Sequence, residues 1–505
     1  MNSLRKRELL LSLKYATMEA CFSVPMLNLT TGNLPFAIGF AVKVLGWGPT
    51  AVGVLAATPH ICYFLQPIFT VLLQKVFSLY EIMLLTFVAN ALPWAFVPYF
   101  TLMTKPEHVS IAFALIVFIS NLANAICGVA WSAAMSELVP LNIRGKYFGS
   151  RNMIFGFWTL IIVLLAGYYV DLKHNSLVVF GWLYTAAAAA RLVGMFFLTR
   201  MHFPQLVKER RVRSSSFGEY LAVLKDVNYR WLLLFIGCWG FALNLGMPFY
   251  SVYVLRGLGL GMRDLTVFTV VSSLGGLLSL KTWGRLSDRF GNKPVLTTCS
   301  LVWAGVALLS WIMAGPHRYT HLFINYFVVG FMTAGFQLCQ FNLMIKLVPA
   351  DKKSHYISVF FAFTSLLTAM GPLAGGRLVH LLPASVGTFM GEPLTGYHLL
   401  FAGSLILCLF AVHILGALKE PAERPVWELV RVMRNMREFN PVLGAASLAQ
   451  FMFTPKGLGR LARTSYRSLK RQRQAMSDMG EQLAEGSWKV VKKPFSRSSG
   501  PRIEP

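Results

Sequence analysis

Glu19 and Arg191 are ionisable side chains set among apolar neighbours, Ala16-Thr-Met-Glu-Ala-Cys-Phe and Ala187-Ala-Ala-Ala-Arg-Leu-Val-Gly. Inside a membrane such groups are costly and mark function. At a rise of 1.5 Å per residue, each should lie roughly 12–14 Å in from the same membrane face. Pairing would relieve the cost of burying either one, so an ion pair between Glu19 and Arg191 is expected. It could be a static lock, or Glu19 could carry a proton. Glu19 is the only carboxylate well inside an apolar run, so proton coupling has one carrier, and a uniporter or anion exchanger needs none. Other catalytic chemistry finds no support. The seven Cys fall in apolar segments and read as small core residues. His60 and His413 have no carboxylate beside them, and His380 and His398 lie near segment ends. No acid–base or metal constellation emerges, and no GxxxxGK[ST] loop is present. An enzyme, a metal site, an organic cofactor and ATP-driven transport are therefore not expected; the coupling species, if any, is a proton.

The elements that must hold these residues follow from composition. The chain has 505 residues, 55% hydrophobic and 13% charged, with a mean hydropathy of +0.56. A soluble protein carries about a quarter charged residues. Continuous apolar runs of about 20 residues indicate membrane-spanning helices and argue against a barrel. Twelve are expected, near 12–41, 50–74, 80–102, 109–135, 151–172 and 177–200, then 229–254, 265–282, 294–314, 322–347, 355–382 and 396–418. With both termini in the cytoplasm, 39 of the 47 Lys and Arg fall in cytoplasmic segments and six outside (Lys43, Lys105, Lys173, Arg256, Arg263, Arg318). That asymmetry sets the orientation and gives the net charge of +26 an ordinary cause. No basic face for nucleic acid is evident. The organisation is a first bundle, 1–200, a linker, 201–228, a second bundle, 229–418, and a basic tail, 419–505. In the tail, Val426, Leu429, Val430, Met433 and Met436 share one helical face, and 457–473 repeats the pattern. Such helices favour an anionic lipid surface.

The chain repeats itself. Glu137-Leu-Val-Pro140 matches Lys346-Leu-Val-Pro349 at an offset of 209, whereas Pro35-Phe36 and Leu45-Gly46 match Pro248-Phe249 and Leu258-Gly259 at 213. The two offsets differ by four residues, so a length difference between the halves falls somewhere between the second and fourth spans. The segment between Pro67 and Glu81 is the expected place. Parallel six-span repeats are a transporter architecture.

Gly284-Arg-Leu-Ser-Asp288-Arg289-Phe-Gly291-Asn-Lys293 resembles the G-x-L-(S/A)-D-R-x-G-R/K-R/K loop of the major facilitator superfamily, with Asn292 in place of a basic residue. The equivalent first-half loop, 67–81, lacks both the Gly and the Asp-Arg pair. Glu137-x-x-Pro140-x-x-x-Arg144-Gly145 resembles the span-four exit of many members, and Glu137 and Arg144 are candidate ion-pair partners. Gly284 is expected to help the turn between spans eight and nine, and Asp288 to make a contact that breaks when the halves move. Gly371-Pro372 in span eleven allows close helix approach. Drug antiporters carry a similar motif in span five, but here that span reads Leu164-Leu-Ala-Gly-Tyr-Tyr169.

The resemblance implies an all-α fold of two pseudo-symmetric six-helix bundles, with spans 1, 4, 7 and 10 lining a central cavity. Asn28, Thr31, Asn121 and Asn124 are candidate solute ligands in the first half, with Gln66 of span two. Asn244, Tyr250, Gln337 and Gln340 are candidates in the second, and Arg191 joins them. Amides and aromatics suit a polar organic solute. If Arg191 and Lys346 face the cavity, an anionic or zwitterionic solute is favoured. Secondary transport by alternating access in a bacterial inner membrane, as a monomer, is the leading expectation. A non-transporting sensor or scaffold acting through the tail is the alternative.

Overall fold

The computed structural model describes residues 3–102, 105–173, 176–204, 207, 222–348, 353–420 and 423–435. The first half holds α1 (Ser3–Leu29), α2 (Pro35–Gly39, with a π-turn to Val44), α3 (Pro49–Gln74), α4 (Leu79–Ala91, drawn on as a 3-10 helix to Leu102), α5 (Pro106–Leu138), α6 (Leu141–Leu172) and α7 (Leu177–Thr199). The second holds α8 (Val227–Arg256), α9 (Met262–Phe290), α10 (Asn292–Ile312), α11 (His321–Lys346), α12 (Lys353–Leu381) and α13 (Gly396–Gly416). A hairpin, β1 (Gly387–Phe389) and β2 (Glu392–Leu394), links α12 to α13, and α14 (Val426–Asn435) follows. Eleven of these helices are long and apolar enough to cross a membrane.

The expected first span, 12–41, is not one helix. Pro35 has no N–H for the carbonyl of Thr31, and Leu34 N–H takes that oxygen at 3.0 Å in a turn instead. Thr30 and Thr31 turn their hydroxyls back onto Met26 O (2.6 Å) and Leu27 O (2.7 Å). The repeat partner Pro248 sits inside an unbroken α8. Elsewhere local chemistry fixes the ends. Ser78 and Glu81 form a capping box on α4, and Ser176 and Asp226 cap α7 and α8.

Internal repetition is visible in the backbone. Gly46 and Gly259 both take positive φ, +68° and +69°. Trp47 N–H reaches Ala41 O as Leu260 N–H reaches Val254 O. Helices α3 and α9 start at residues 49 and 262, and α4 and α10 at 79 and 292, so the spacing of 213 persists through the loop at 75–78. The four-residue difference therefore falls later, before the exits of α5 and α11, and not in the 67–81 segment.

The halves share one core at one end and have separate cores at the other. Phe36, Phe40 and Tyr184 pack in the same cluster as Phe249, Tyr253 and Phe401. This is the end with few basic residues, here the sparse end. At the basic end, Leu13, Met135 and Leu198 belong to one cluster and Tyr229, Trp283 and Leu415 to another. Across the halves α3 packs on α12, and α6 on α9. The sparse end is tied by a reciprocal pair. Lys43 Nζ donates to Leu255 O (2.9 Å) and Arg256 Nη2 to Val42 O (3.3 Å). Residues 42 and 255, and 43 and 256, are repeat partners at the offset of 213. Asp171, at the end of α6, accepts from the N–H groups of Met262 (2.9 Å) and Arg263 (2.8 Å), the first turn of α9.

Close helix approach rests on small residues. A Cβ on Gly330 of α11 would run into the Ser272 carbonyl of α9. Both Gly330 and Ser272 lie inside helices, so neither backbone can yield locally. Gly330→Val should lower the melting temperature measured by intrinsic fluorescence, at a cost of roughly 1–3 kcal/mol or more from overpacking. Gly403, with open space around it, should accept alanine.

Candidate solute site

Glu19, Ser23, Arg151 and Arg191 meet in the first half. Ser23 lies four residues after Glu19, on the same face of α1, and its hydroxyl donates to Glu19 Oε1 at 2.8 Å. Helix α7 comes close because it is built of small residues there. A Cβ on Gly194 would lie 3.3 Å from Glu19 O. That approach brings Arg191, one turn earlier, to Glu19, with Nη1 3.5 Å from Oε1. Arg191 also donates from Nη1 to Ser23 Oγ, reaches Cys127 Sγ at 3.9 Å and lies 3.7 Å from the Phe87 ring centroid. Its Nε is buried with no hydrogen-bond partner among the described residues.

The third charge is Arg151 of α6. Its Nη2 lies 3.3 Å from Glu19 Oε2 and its Nε donates to Ala16 O at 3.3 Å. Tyr147, one turn earlier, donates its hydroxyl to Leu13 O, so two successive turns of α6 grip α1. The Arg151 guanidinium stacks on Trp131 of α5, 4.3 Å from the ring centroid, a cation–π contact. Glu19 and Arg191 are each 3% exposed. The Arg151 side chain is 14% exposed and Trp131 is half-buried, so this edge of the cluster reaches open space.

Arg151 has no place among the sequence candidates. Reading span five from residue 151 puts its charge at the helix mouth. The helix begins at Leu141, which sets Arg151 about 15 Å in at 1.5 Å per residue. The signal was Tyr147 and Arg151 at a four-residue spacing ahead of the apolar run.

The amide candidates are dispersed. Asn28 donates to Val24 O (2.9 Å) and reaches Thr159 Oγ1 of α6 (3.5 Å). Asn121 is buried and donates to Val117 O. Thr31 lies in the break after α1. Gln66, Asn124 and Gln340 are half-buried and Gln337 is exposed. Asn244 donates to Gly240 O and sits beside His60 of the other half. Tyr250 is half-buried and stacks on Trp311 at 4.3 Å and 3°.

Several motif expectations change. Gly284 is inside α9, with nothing around its Cβ position. The turn is made by Gly291 alone, at φ +96°. Asp288, Arg289 and Glu137 are exposed. Pro140 is the N-cap of α6; the side chains of Arg144 and Gly145 lie outside the described residues. Gly371 and Pro372 do pack closely: a Cβ on Gly371 would meet Phe241 O of α8, and one on Gly53 of α3 would meet Pro372 O.

Lys346 is engaged at the end of α11. It pairs with Glu420 at 2.8 Å, because α11 ends against the segment that leaves α13. Glu420 also accepts from Asn292 Nδ2 (2.9 Å) and Lys293 N–H (2.7 Å). Asn342 joins through Asn292, and Lys293 Nζ pairs with Glu423 at 3.1 Å. Beyond this latch α14 buries Leu429 and Met433 on the second half's own core, while Val430 stays exposed. Residues 436–505, including Met436 and 457–473, lie outside the described residues. Burial raises the Glu420 carboxyl, but the Lys293 N–H, Lys346 and Asn292 outweigh it and hold the group below its ordinary value of 4.5. A lowered value stabilises the fold above the unfolded-state value, and the gain is lost as pH falls through the folded one. Glu420→Gln should therefore melt lower than wild type at neutral pH. The gap between the two melting curves should close in acid, below about pH 4.5.

The sequence profile of the Major Facilitator Superfamily matches residues 20–282 and 266–456. The chain belongs to the major facilitator superfamily. This superfamily member is 25% identical over 187 residues to the multi-drug resistance efflux pump PmrA of Streptococcus pneumoniae, covering 36% of this chain and 45% of the pump. The chain thus spans less than half the length of that relative. A point mutant of the nucleoside transporter NupG superposes with a TM-score of 0.62 at 14% identity, over 82% of this chain and all of that one. A bacterial homologue of the iron transporter ferroportin superposes at 0.58 in its inward-facing state (16% identity, 82% of this chain and 98% of that one). Its outward-facing state gives 0.53 (15% identity, 81% and 98%). At these identities the likeness is one of fold. The fold is that of a multi-pass membrane protein of two six-helix halves.

Proposed function

We propose that the protein is a secondary transporter of a small polar, anionic organic solute, working by rocker-switch alternating access. The observation that carries this reading is the buried cluster. It holds two guanidinium groups and one carboxylate, a surplus of one positive charge where low dielectric makes an unpaired ion costly. An anionic solute is drawn to that surplus. A nucleoside, sugar or lipophilic drug is not, although relatives and structural neighbours include such transporters.

The positive-inside bias supports placing the basic end and both termini in the cytoplasm of a bacterial inner membrane. On that placement the shared core closes the outside, and the separated cores open the site to the cytoplasm. Glu19 is the proton carrier in this reading. Purified protein in liposomes should take up organic anions by counterflow and not their neutral amides. With Glu19→Gln, exchange should persist while uptake driven by a pH gradient is lost. Uptake of the amides alone would overturn the assignment of an anionic solute.

A further inference from the structure

Glu19 occupies its site as a ligand would. Its two oxygens are shared among the Ser23 hydroxyl, Arg191 Nη1 and Arg151 Nη2. The slot is therefore already shaped for a carboxylate. The two arginines differ in what else supports them. Arg191 lies under Phe87, beside Cys127 and Ser23, and is closed off. Arg151 lies on the accessible edge, with Trp131 beneath it and Ala16 O on Nε.

Resting on the reading above, we infer that Glu19 is a tethered stand-in for the solute's own carboxylate, and that Arg151 is the residue that changes hands. A solute carboxylate takes the Arg151 guanidinium, and Glu19 leaves that pairing as the neutral acid, its oxygens still beside Ser23 and Arg191. The exchange balances: one proton adds to one Glu19 oxygen, one ion pair breaks and one forms. The buried charge is one positive before, from two guanidiniums and one carboxylate, and one positive after, from two guanidiniums and the solute. The empty and the loaded carrier thus present the same charge to the bilayer, so neither bears an extra electrostatic barrier on reorienting. Anion alone would give a neutral cluster with Glu19 and the solute competing for one fork. Other titratable or charged groups facing Glu19 are Tyr147 and Arg151 on α6, Arg191 on α7, Cys127 on α5 and Cys21 on α1. Among them Glu19 is the acid whose proton is exchanged. The solute class is a monocarboxylate, since one guanidinium, Arg151, changes hands and its planar fork matches the two oxygens of one carboxylate.

The test is binding to the full-length protein in detergent, read as a ligand-induced rise in melting temperature. The probes are lactate, benzoate and N-acetylglycine, with their amides as controls. In wild type, carboxylate affinity should strengthen as pH falls, by up to about tenfold per pH unit for one linked proton. Glu19→Gln should bind at least as tightly as acidic wild type and show no pH dependence. Arg151→Ala should lose about tenfold or more of carboxylate affinity. Arg151→Lys, which keeps the charge but not the fork, should fall between, and it carries the test if Arg151→Ala does not fold. Carboxylate binding that keeps its pH dependence in Glu19→Gln, or that ignores Arg151→Lys, overturns the exchange and leaves anion transport standing. No binding of any carboxylate, with counterflow of a neutral solute, overturns both.

Discussion

Arg191→Leu should be among the most damaging single substitutions in the first half. It leaves Glu19 buried with half its counter-charge gone, and breaking a buried pair costs roughly 3–5 kcal/mol. The yield of folded protein and its melting temperature should both drop sharply. Adding Glu19→Leu should recover most of that loss, because an apolar pair of similar volume replaces a buried ion pair at little net cost. Arg151, partly exposed on the face of Trp131, tolerates the loss of its partner better. The recovered double variant should be stable and inactive. If it stays as unstable as Arg191→Leu, the pair is not the source of the cost.

Removing the reciprocal clasp should change conformation and not stability. Lys43 and Arg256 are exposed, so each bond to a helix-end carbonyl is taken at about 1 kcal/mol, within the range for net hydrogen bonds. At that value Lys43→Ala shifts the balance roughly 5-fold towards the state open at the sparse end, and the double variant with Arg256→Ala roughly 30-fold. Spin labels at Lys105 and His317, in opposite halves at the sparse end, would report the added long-distance population. An unchanged distance distribution in the double variant would show that the shared core alone holds that end shut.

How much of this was legible in the sequence depends on what set each feature. The spans and the charge bias come from composition, which each residue carries with it. The repeat offset of 213 came from Leu45-Gly46 and Leu258-Gly259, because only a glycine sits easily at a φ near +68°. The meeting of Glu19 and Arg191 could be anticipated because cost forces isolated charges together. What failed was local. Arg151 was hidden by a helix start placed ten residues late, since Arg144, Lys146 and Arg151 read as one run of boundary charge. The break at Thr30–Leu34 carried a turn signal, Thr30-Thr31-Gly32-Asn33 ahead of Pro35, which the apolar runs on either side overrode. Lys346 could not be placed without Glu420, which lies 74 residues away and outside the family motifs. The four-residue difference was assigned to the loop that had lost its motif, although a loop can lose its residues and keep its length.

The closed end also makes this molecule a pair of levers. Where Gly53 of α3 meets Pro372 and Gly376 of α12, backbone touches backbone with no side chain to absorb movement. Helix α5 has 33 residues, about 50 Å of rigid arm at 1.5 Å per residue. A rotation about a glycine fulcrum near one end moves the far tips by several times the displacement at the contact. Adding a single methyl at that fulcrum should therefore alter how far the basic ends swing apart, well out of proportion to its size.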